Sequence, residues 1–165
     1  MRFKRSATYC KTVAYLICDL LRLGSTPEKK GGKIGLFPWE IPQKPDKSWP
    51  PPAGAGNYAG EEAKNGDWPS AEYSVIEGYN DGYPRTSPVG RFDANLSGLH
   101  DMGGNVWQWC EDWYNSEKQR HVLRGASWSN SGYADLFASF RLSGTPVQRF
   151  DDVGFRCVVA VESSR

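Results

Sequence analysis

The sequence is short of most of the groups that usually give chemistry away. It has only two histidines, His100 and His121, so a histidine-rich metal site is not expected. Its four cysteines, Cys10, Cys18, Cys110 and Cys157, include no CxxC pair, which removes the usual zinc spacings. Neither charge sign dominates: 20 Lys+Arg stand against 19 Asp+Glu. No basic face is evident, which speaks against binding nucleic acid through its phosphates. No apolar run is long enough for a membrane span. Internal repeats and low-complexity tracts are absent, and no Ser–His–Asp, paired-carboxylate or phosphate-loop arrangement stands out. The Asp151–Asp152 pair reads as a charged turn.

What the chain does have is punctuation and aromatic bulk. Its 165 residues carry 18 Gly and 11 Pro, which leave little room for long helices. They also carry 7 Trp, 8 Tyr and 7 Phe, too many for a disordered chain. Each buried aromatic covers roughly 150–250 Å². A few of them fill a core that regular secondary structure frames only loosely.

Residues 9–23 space Val13, Leu16, Ile17, Leu20, Leu21 and Leu23 as one apolar helix face, with Gly24 placed to end it. A signal peptide is the other reading of this basic start. Against it, the apolar run Val13–Cys18 is short, and Asp19 and Arg22 follow with no small-residue cleavage site. Localisation stays open. Residues 24–35 are linker-like, and the Pro- and Gly-rich stretch from Leu36 to Gly60 predicts an ordered loop pinned by Trp and Tyr. Residues 60–84 offer one short helix or turn. Asn105–Tyr114 predicts a buried strand, from Val106, Trp107, Trp109 and Trp113. His121–Trp128 predicts a second strand ending in a glycine kink, and 129–152 a polar loop with one apolar patch, Leu136–Phe140. Val153–Val161 is apolar on both faces and predicts a central strand. The expected class is α+β, with short antiparallel strands carrying long irregular loops. Cys110 and Cys157 fall in two of these strands, as two buried thiols, with a bridge left open because it needs Cα atoms within about 7 Å. Asn95-Leu96-Ser97 matches a glycosylation sequon, a short pattern that occurs often by chance.

Seven pieces, in order, carry a resemblance: FPWE, NYAG, NDGYPRTSPVGRF, GLHDMGGNVWQWCEDWY, VLRGASW, FRLSGTP and VGFRCVV. Together they resemble the C-terminal two-thirds of a formylglycine-generating-enzyme (sulfatase-modifying factor) domain. The resemblance covers residues 36–161 and implies a C-type-lectin-like fold. Residues 1–35 do not resemble that family's opening part, so its N-terminal portion is missing from the match. A fragment, a shifted start and a divergent form all stay open.

The family's active members place two copper(I)-binding cysteines shortly after a Gly-Gly-Ser-[YW] element. Here that stretch, Gly125 to Asp135, contains no cysteine. Copper(I) wants soft thiolates, so copper is not expected. The resemblance also implies a calcium held by the Asn57 side chain, the Tyr58 carbonyl, the Asp81 side chain and the Tyr83 carbonyl. Hard oxygen donors of this kind suit calcium. Ordinary turns would place the same residues without a metal, since Asn80-Asp81-Gly82 is a good turn by itself. A second implied cation site uses Asn105, Val106 and Gln108. Gln in place of the family's Glu removes a charge there, and a hydrogen-bonding role in the core is preferred for it. Trp107, Trp109, Trp113 and Trp128 read first as core and loop anchors. By resemblance, Trp109 and Ser127 line the active cleft, and a ligand cleft would comprise Trp109, Ser127, Trp128, Asn130 and Arg141. Arg141 and Arg156 read as structural arginines whose donor forks satisfy loop carbonyls, in preference to carboxylate recognition.

Three functions follow. The first is a non-oxidising binding or accessory domain for a peptide or small-molecule ligand. The second is an oxidase converting a sulfatase cysteine to formylglycine, which needs the missing pair. Relatives that make sulfoxides use a His-rich iron site, which two histidines do not supply. The third is a lectin-fold display scaffold with its variable loop before Gly154-Phe155-Arg156.

Overall fold

A computed structural model of the chain describes residues 37–39, 49–65, 74–94 and 98–157. The helix expected over 9–23, the linker over 24–35, the sequon, and Cys10 and Cys18 lie outside these residues. No helix among the described residues is long and apolar enough to cross a membrane.

Four short strands form one sheet: β1 (Trp107–Trp113), β2 (His121–Arg124), β3 (Leu142–Gly144) and β4 (Val153–Gly154), in the order β3-β2-β1-β4. A 3-10 turn at Glu61–Asn65 is the helical element among the described residues. Bulky β-prone side chains make β1 the spine. It pairs antiparallel with β2 (Gln108 opposite Arg124, Trp109 opposite Leu123), and the register shifts before Trp113 meets His121. β3 continues antiparallel from β2. The kink after β2 falls at Gly125, whose φ is 99°.

The expectation of a central C-terminal strand is corrected. Among the described residues, β4 sits at a sheet edge, runs parallel to β1 and pairs through Val153 and Gly154. Residues 155–157 leave the ladder and Phe155 is 70 % exposed, while 158–161 lie outside the described residues. An apolar run without alternation fits an edge as readily as a centre. Cys157 is accordingly exposed rather than buried, and it and buried Cys110 are both free thiols. The strand β3 arises within what reads as loop.

The core is aromatic, as the composition requires. Phe37, Tyr58, Ile76, Tyr79, Trp107, Leu123, Ala126 and Leu136 cluster at its centre. Phe37 stacks on Trp39 with ring centroids 4.4 Å apart and meets Phe137 at 5.2 Å. The loop 49–60 is thereby anchored on rings rather than on a ladder. Two glycines permit this closeness. A Cβ on Gly103 would lie 2.6 Å from both Pro38 and the Tyr58 hydroxyl, and one on Gly104 would lie 2.5 Å from the Asn57 carbonyl oxygen. At Gly104 the DMGGN turn is therefore laid backbone against backbone, and at Gly103 against the Pro38 and Tyr58 side chains.

Candidate functional site

Three residues of the first implied cation group, Tyr58, Asp81 and Tyr83, are linked through amide donors, and the Tyr58 carbonyl accepts the Gly60 amide at 2.8 Å. Asp81 is the hub. Its carboxylate accepts the Tyr58 amide at 2.9 Å through one oxygen and the Tyr83 amide at 2.9 Å through the other. Burial raises the Asp81 carboxyl from its usual 3.8 to about 7, helped by the charge of Glu62 and opposed by those two amides. Burial likewise pushes the Tyr58 and Tyr79 phenols upward. Tyr79 donates a short hydrogen bond to the Gly56 carbonyl.

Asn57 is 1 % exposed, and its amide nitrogen donates to the Arg85 carbonyl at 2.7 Å. That contact fixes which end of the amide is nitrogen. The remaining Asn57 Oδ1 is buried with no hydrogen-bond partner, a state that costs about 1–3 kcal/mol. A buried orphan oxygen and a half-buried carboxylate are donors of the kind that a hard cation takes. Glu62 adds a second buried oxygen without a partner, its Oε2.

The second implied group is attached to the first. The Asn105 amide donates to the Asn57 carbonyl at 2.7 Å, and Asn105 Oδ1 accepts from the Ser87 amide at 2.9 Å. Asn105 itself holds φ at 62°, a left-handed setting that asparagine tolerates. Val106 packs against Gly154, where a Cβ would lie 3.0 Å from its methyl. Gln108 is fully engaged: its Nε2 donates to the Asp101 carbonyl at 2.7 Å and its Oε1 accepts from Arg156 Nε at 2.7 Å. A guanidinium beside Gln108 opposes a cation there.

The cleft residues separate into two groups. Ser127, Trp128 and Asn130 sit together on one loop. The Ser127 hydroxyl lies 2.8 Å from Asn130 Oδ1, 2.9 Å from the Ser129 hydroxyl and 3.0 Å from Asp152 Oδ2. Ser129 donates to the same Asp152 oxygen at 3.1 Å. Ser127 is wholly buried, so this knot holds the loop closed. The Arg85 guanidinium lies 5.3 Å from the Trp128 ring centre. Trp109 makes its contacts on the sheet, edge-on to His121 at 6.4 Å and so tight on Gly144 that a Cβ would meet the ring at 2.5 Å. Arg141 is exposed, 4.6 Å above the Tyr114 ring, and is not the carbonyl-satisfying arginine expected.

Arg124 takes that role. It is 7 % exposed, and its Nη1 lies 3.1, 3.0 and 3.4 Å from the carbonyls of Ala138, Ser139 and Phe140. The sequence offers no signal for it, because its partners are remote backbone atoms. Arg156 behaves as expected, donating to the carbonyls of His100 at 3.0 Å and Asp101 at 2.7 Å. Asp152 was likewise hidden inside what reads as a plain charged turn. Among the described residues, no group of three or more His, Cys, Asp or Glu side chains is placed to hold a metal by itself.

Comparison with known proteins agrees with the resemblance. The family model for the sulfatase-modifying factor enzyme 1-like domain matches residues 8–161, which includes most of the segment without recognisable motifs. The chain is 42 % identical over 83 residues to the bovine (Bos taurus) protein named inactive C-alpha-formylglycine-generating enzyme 2, covering 47 % of this chain and 28 % of that one. It is 49 % identical over 105 residues to the formylglycine-generating enzyme of Thermomonospora curvata, covering 52 % of this chain and 35 % of that one. The chain thus matches about a third or less of the length of these curated relatives. In structure it is similar to PvdO from Pseudomonas aeruginosa, with a TM-score of 0.54 and 22 % identity over 88 % of this chain and 56 % of that one. That likeness supports the same lectin-like arrangement of short strands and long loops. The chain belongs to the formylglycine-generating-enzyme (sulfatase-modifying factor) family.

Proposed function

We propose that this chain is a non-oxidising member of its family, a binding or accessory domain for a peptide or small-molecule ligand. One observation carries the reading. The segment after Trp128 holds no thiol, and its side chains close on one another through Ser127, Ser129, Asn130 and Asp152. Hydroxyl and amide oxygens are poor donors for copper(I). Cys110 lies buried in β1 and Cys157 lies exposed after β4, and neither belongs to that segment. A relative named inactive supports the reading, though a relative named as the enzyme matches a similar share of the chain. The ligand would meet the loop that carries Trp128 and Asn130, with Ser127 buried behind it, while Trp109 and Arg141 stand apart on the sheet side. The test is oxygen consumption with copper, a reductant and a Cys-x-Pro-x-Arg peptide. The expected result is no peptide-dependent uptake and no aldehyde in the peptide; turnover of the peptide would overturn the proposal.

We further propose a structural calcium at Asn57, Tyr58, Asp81 and Tyr83. The orphan Asn57 Oδ1 and the half-buried Asp81 carboxylate, raised by desolvation, support it. When bound, the ion would supply positive charge that braces two loops lacking ladder hydrogen bonds. The pH dependence follows from the raised carboxyl. Without metal, the folded chain holds a proton on Asp81 between about 3.8 and about 7 that the unfolded chain releases. Stability without metal therefore falls as pH rises through that window. After discounting for solvent screening, the loss is on the order of 1 kcal/mol, or about 2–4 °C in Tm. Calcium needs the ionised carboxylate, so the calcium-induced rise in Tm grows as pH rises toward about 7 and levels off above it. At a hundredfold excess over Kd the ion adds about 2.7 kcal/mol. Asp81→Asn abolishes the rise. Superimposable melting curves in calcium and in chelator at pH 8 would sink the assignment.

A further inference from the structure

A cavity of about 510 Å³ lies between the aromatic loop 49–60 and the DMGGN turn. Its walls include Pro38, Trp39, Pro52, Phe92, Leu99 and Met102. None of the five cleft residues and none of the implied calcium ligands lines it. The size lies within the usual range for small-ligand sites, and such sites combine apolar walls with a few fixed polar groups.

The charged lining is of one sign. Asp93 and Asp101 contribute carboxylates, and no Lys, Arg or His is among the lining residues. Asp93 is exposed, at the rim, where the missing side chain of Gly54 makes room for it: a Cβ there would lie 2.8 Å from Asp93 Oδ2. Asp101 is set much more firmly. Its φ of 54° is unusual for a residue with a side chain. Three contacts hold it so. Its Oδ2 accepts the Gly90 amide at 2.7 Å, and its carbonyl accepts Gln108 Nε2 and Arg156 Nη2, each at 2.7 Å. The other carboxylate oxygen, Oδ1, is buried without a hydrogen-bond partner. The Arg156 guanidinium donates to carbonyls and to Gln108 rather than to that oxygen, but its charge and that of Asp101 attract one another, so a bound cation would share this carboxylate's field with Arg156. Strained residues clamped in this manner gather at binding sites. Trp39, held by its stack on Phe37, also has a buried ring N–H with no partner.

We propose that this cavity binds an organic cation, an ammonium or guanidinium group carried on an apolar stem. The stem lies against Trp39, Phe92 and Met102, and the cationic head donates to Asp101 with Asp93 at the mouth. Aromatic walls favour such a head as well. Gln108 and Arg156 act as positioning residues, since they fix the Asp101 backbone. The site stands independently of whether the family chemistry is lost, because it shares no residue with the cleft.

Two sources present this chemistry: a free amine and a basic peptide side chain. The test titrates the full chain with the n-butylammonium ion and with N-acetyl-arginine methylamide, and with n-butanol and N-acetyl-norleucine methylamide as neutral counterparts. Binding is followed by calorimetry and by amide chemical shifts. At least one cation is expected to bind roughly tenfold more tightly than its neutral counterpart. Shifts should centre on Phe92, Asp101 and Met102, and preference between the two cations identifies the source. Asp101→Asn should weaken the cation about tenfold and leave the neutral compound unchanged. Should that variant fail to fold, Asp93→Asn at the exposed rim is expected to weaken the cation about threefold. Failure of both cations to bind, equal binding of the neutral compounds, or indifference to the variant that folds would overturn the proposal.

Discussion

Replacing Gly104 by alanine is expected to destabilise the chain by about 3 kcal/mol or more. Two effects add. The residue holds φ at 79°, where an L side chain costs roughly 1–2 kcal/mol. The new Cβ would also lie 2.5 Å from the Asn57 carbonyl oxygen and 2.8 Å from its nitrogen, both backbone atoms that no side-chain rotation relieves. Forcing such overpacking costs typically about 1–3 kcal/mol. The contact is hard to relax, because Gly104 donates to the Gly125 carbonyl at 2.7 Å and Asn105 donates to the Asn57 carbonyl at 2.7 Å. For a chain of this size the loss amounts to about 6–12 °C in Tm. Gly90→Ala is the matched control. Its φ is 76°, but nothing lies within 4 Å of the added methyl. It should lose only the conformational part, about 1–2 kcal/mol. Calorimetry of the two variants measures the difference. Equal losses would mean that the DMGGN turn is not set by contact with Asn57.

That turn shows how the sequence is and is not legible. GLHDMGGNVWQW identifies the family and places β1, because four large β-prone residues within ten leave few alternatives. What the glycines are for is not written locally, since the atoms they accommodate belong to Pro38 and Tyr58 for Gly103 and to Asn57 for Gly104, all far earlier in the chain. Asn57 and Asp81 could be paired only through the resemblance. Their meeting at the Tyr58 amide depends on how two loops cross, and loops carry no periodicity to read. The C-terminal run failed for a related reason. Val153–Val161 has the composition of a central strand, but among its described residues only Val153 and Gly154 pair, and Arg156 turns its fork onto the carbonyls of His100 and Asp101. The family's second glycine in Gly-Gly-Ser is Ala126 here, buried at φ 62°. An alanine held in that conformation shows that the turn into Ser127 is imposed by its surroundings, among them the Ser127–Asn130–Asp152 knot. The turn into Ser127 is thus held by hydrogen-bonding side chains.

The position of that loop depends most on a residue outside it, and Arg124→Met is expected to cost about 3–4 kcal/mol. Methionine keeps most of the buried length of the side chain and removes every donor. The carbonyls of Ala138, Ser139 and Phe140, now 3.0 to 3.4 Å from Arg124 Nη1, would be left to find water from a largely enclosed position. Hydrogen bonds to a charged group contribute about 1.5–3 kcal/mol each, and three that share one nitrogen contribute less than their sum. Arg124 lies at the end of β2 opposite Gln108, so the loop is tied directly to the spine of the sheet. The segment it holds carries Leu136, at 1 % exposure, and Phe137, which packs on Phe37. Loosening it should therefore propagate into the aromatic core. The expected readouts are a fall in Tm of about 6–16 °C and faster proteolytic cleavage within 129–141. Arg124→Lys should recover only part of the loss, because one compact ammonium does not reproduce the rigid fork. Arg141→Ala should move Tm little, since its contact with Tyr114 is exposed and contributes about 0.5–1 kcal/mol. If Arg124→Met melts with the parent while Arg141→Ala does not, the carbonyl cluster is satisfied some other way, and the loop takes its position from its own Ser127–Asp152 knot.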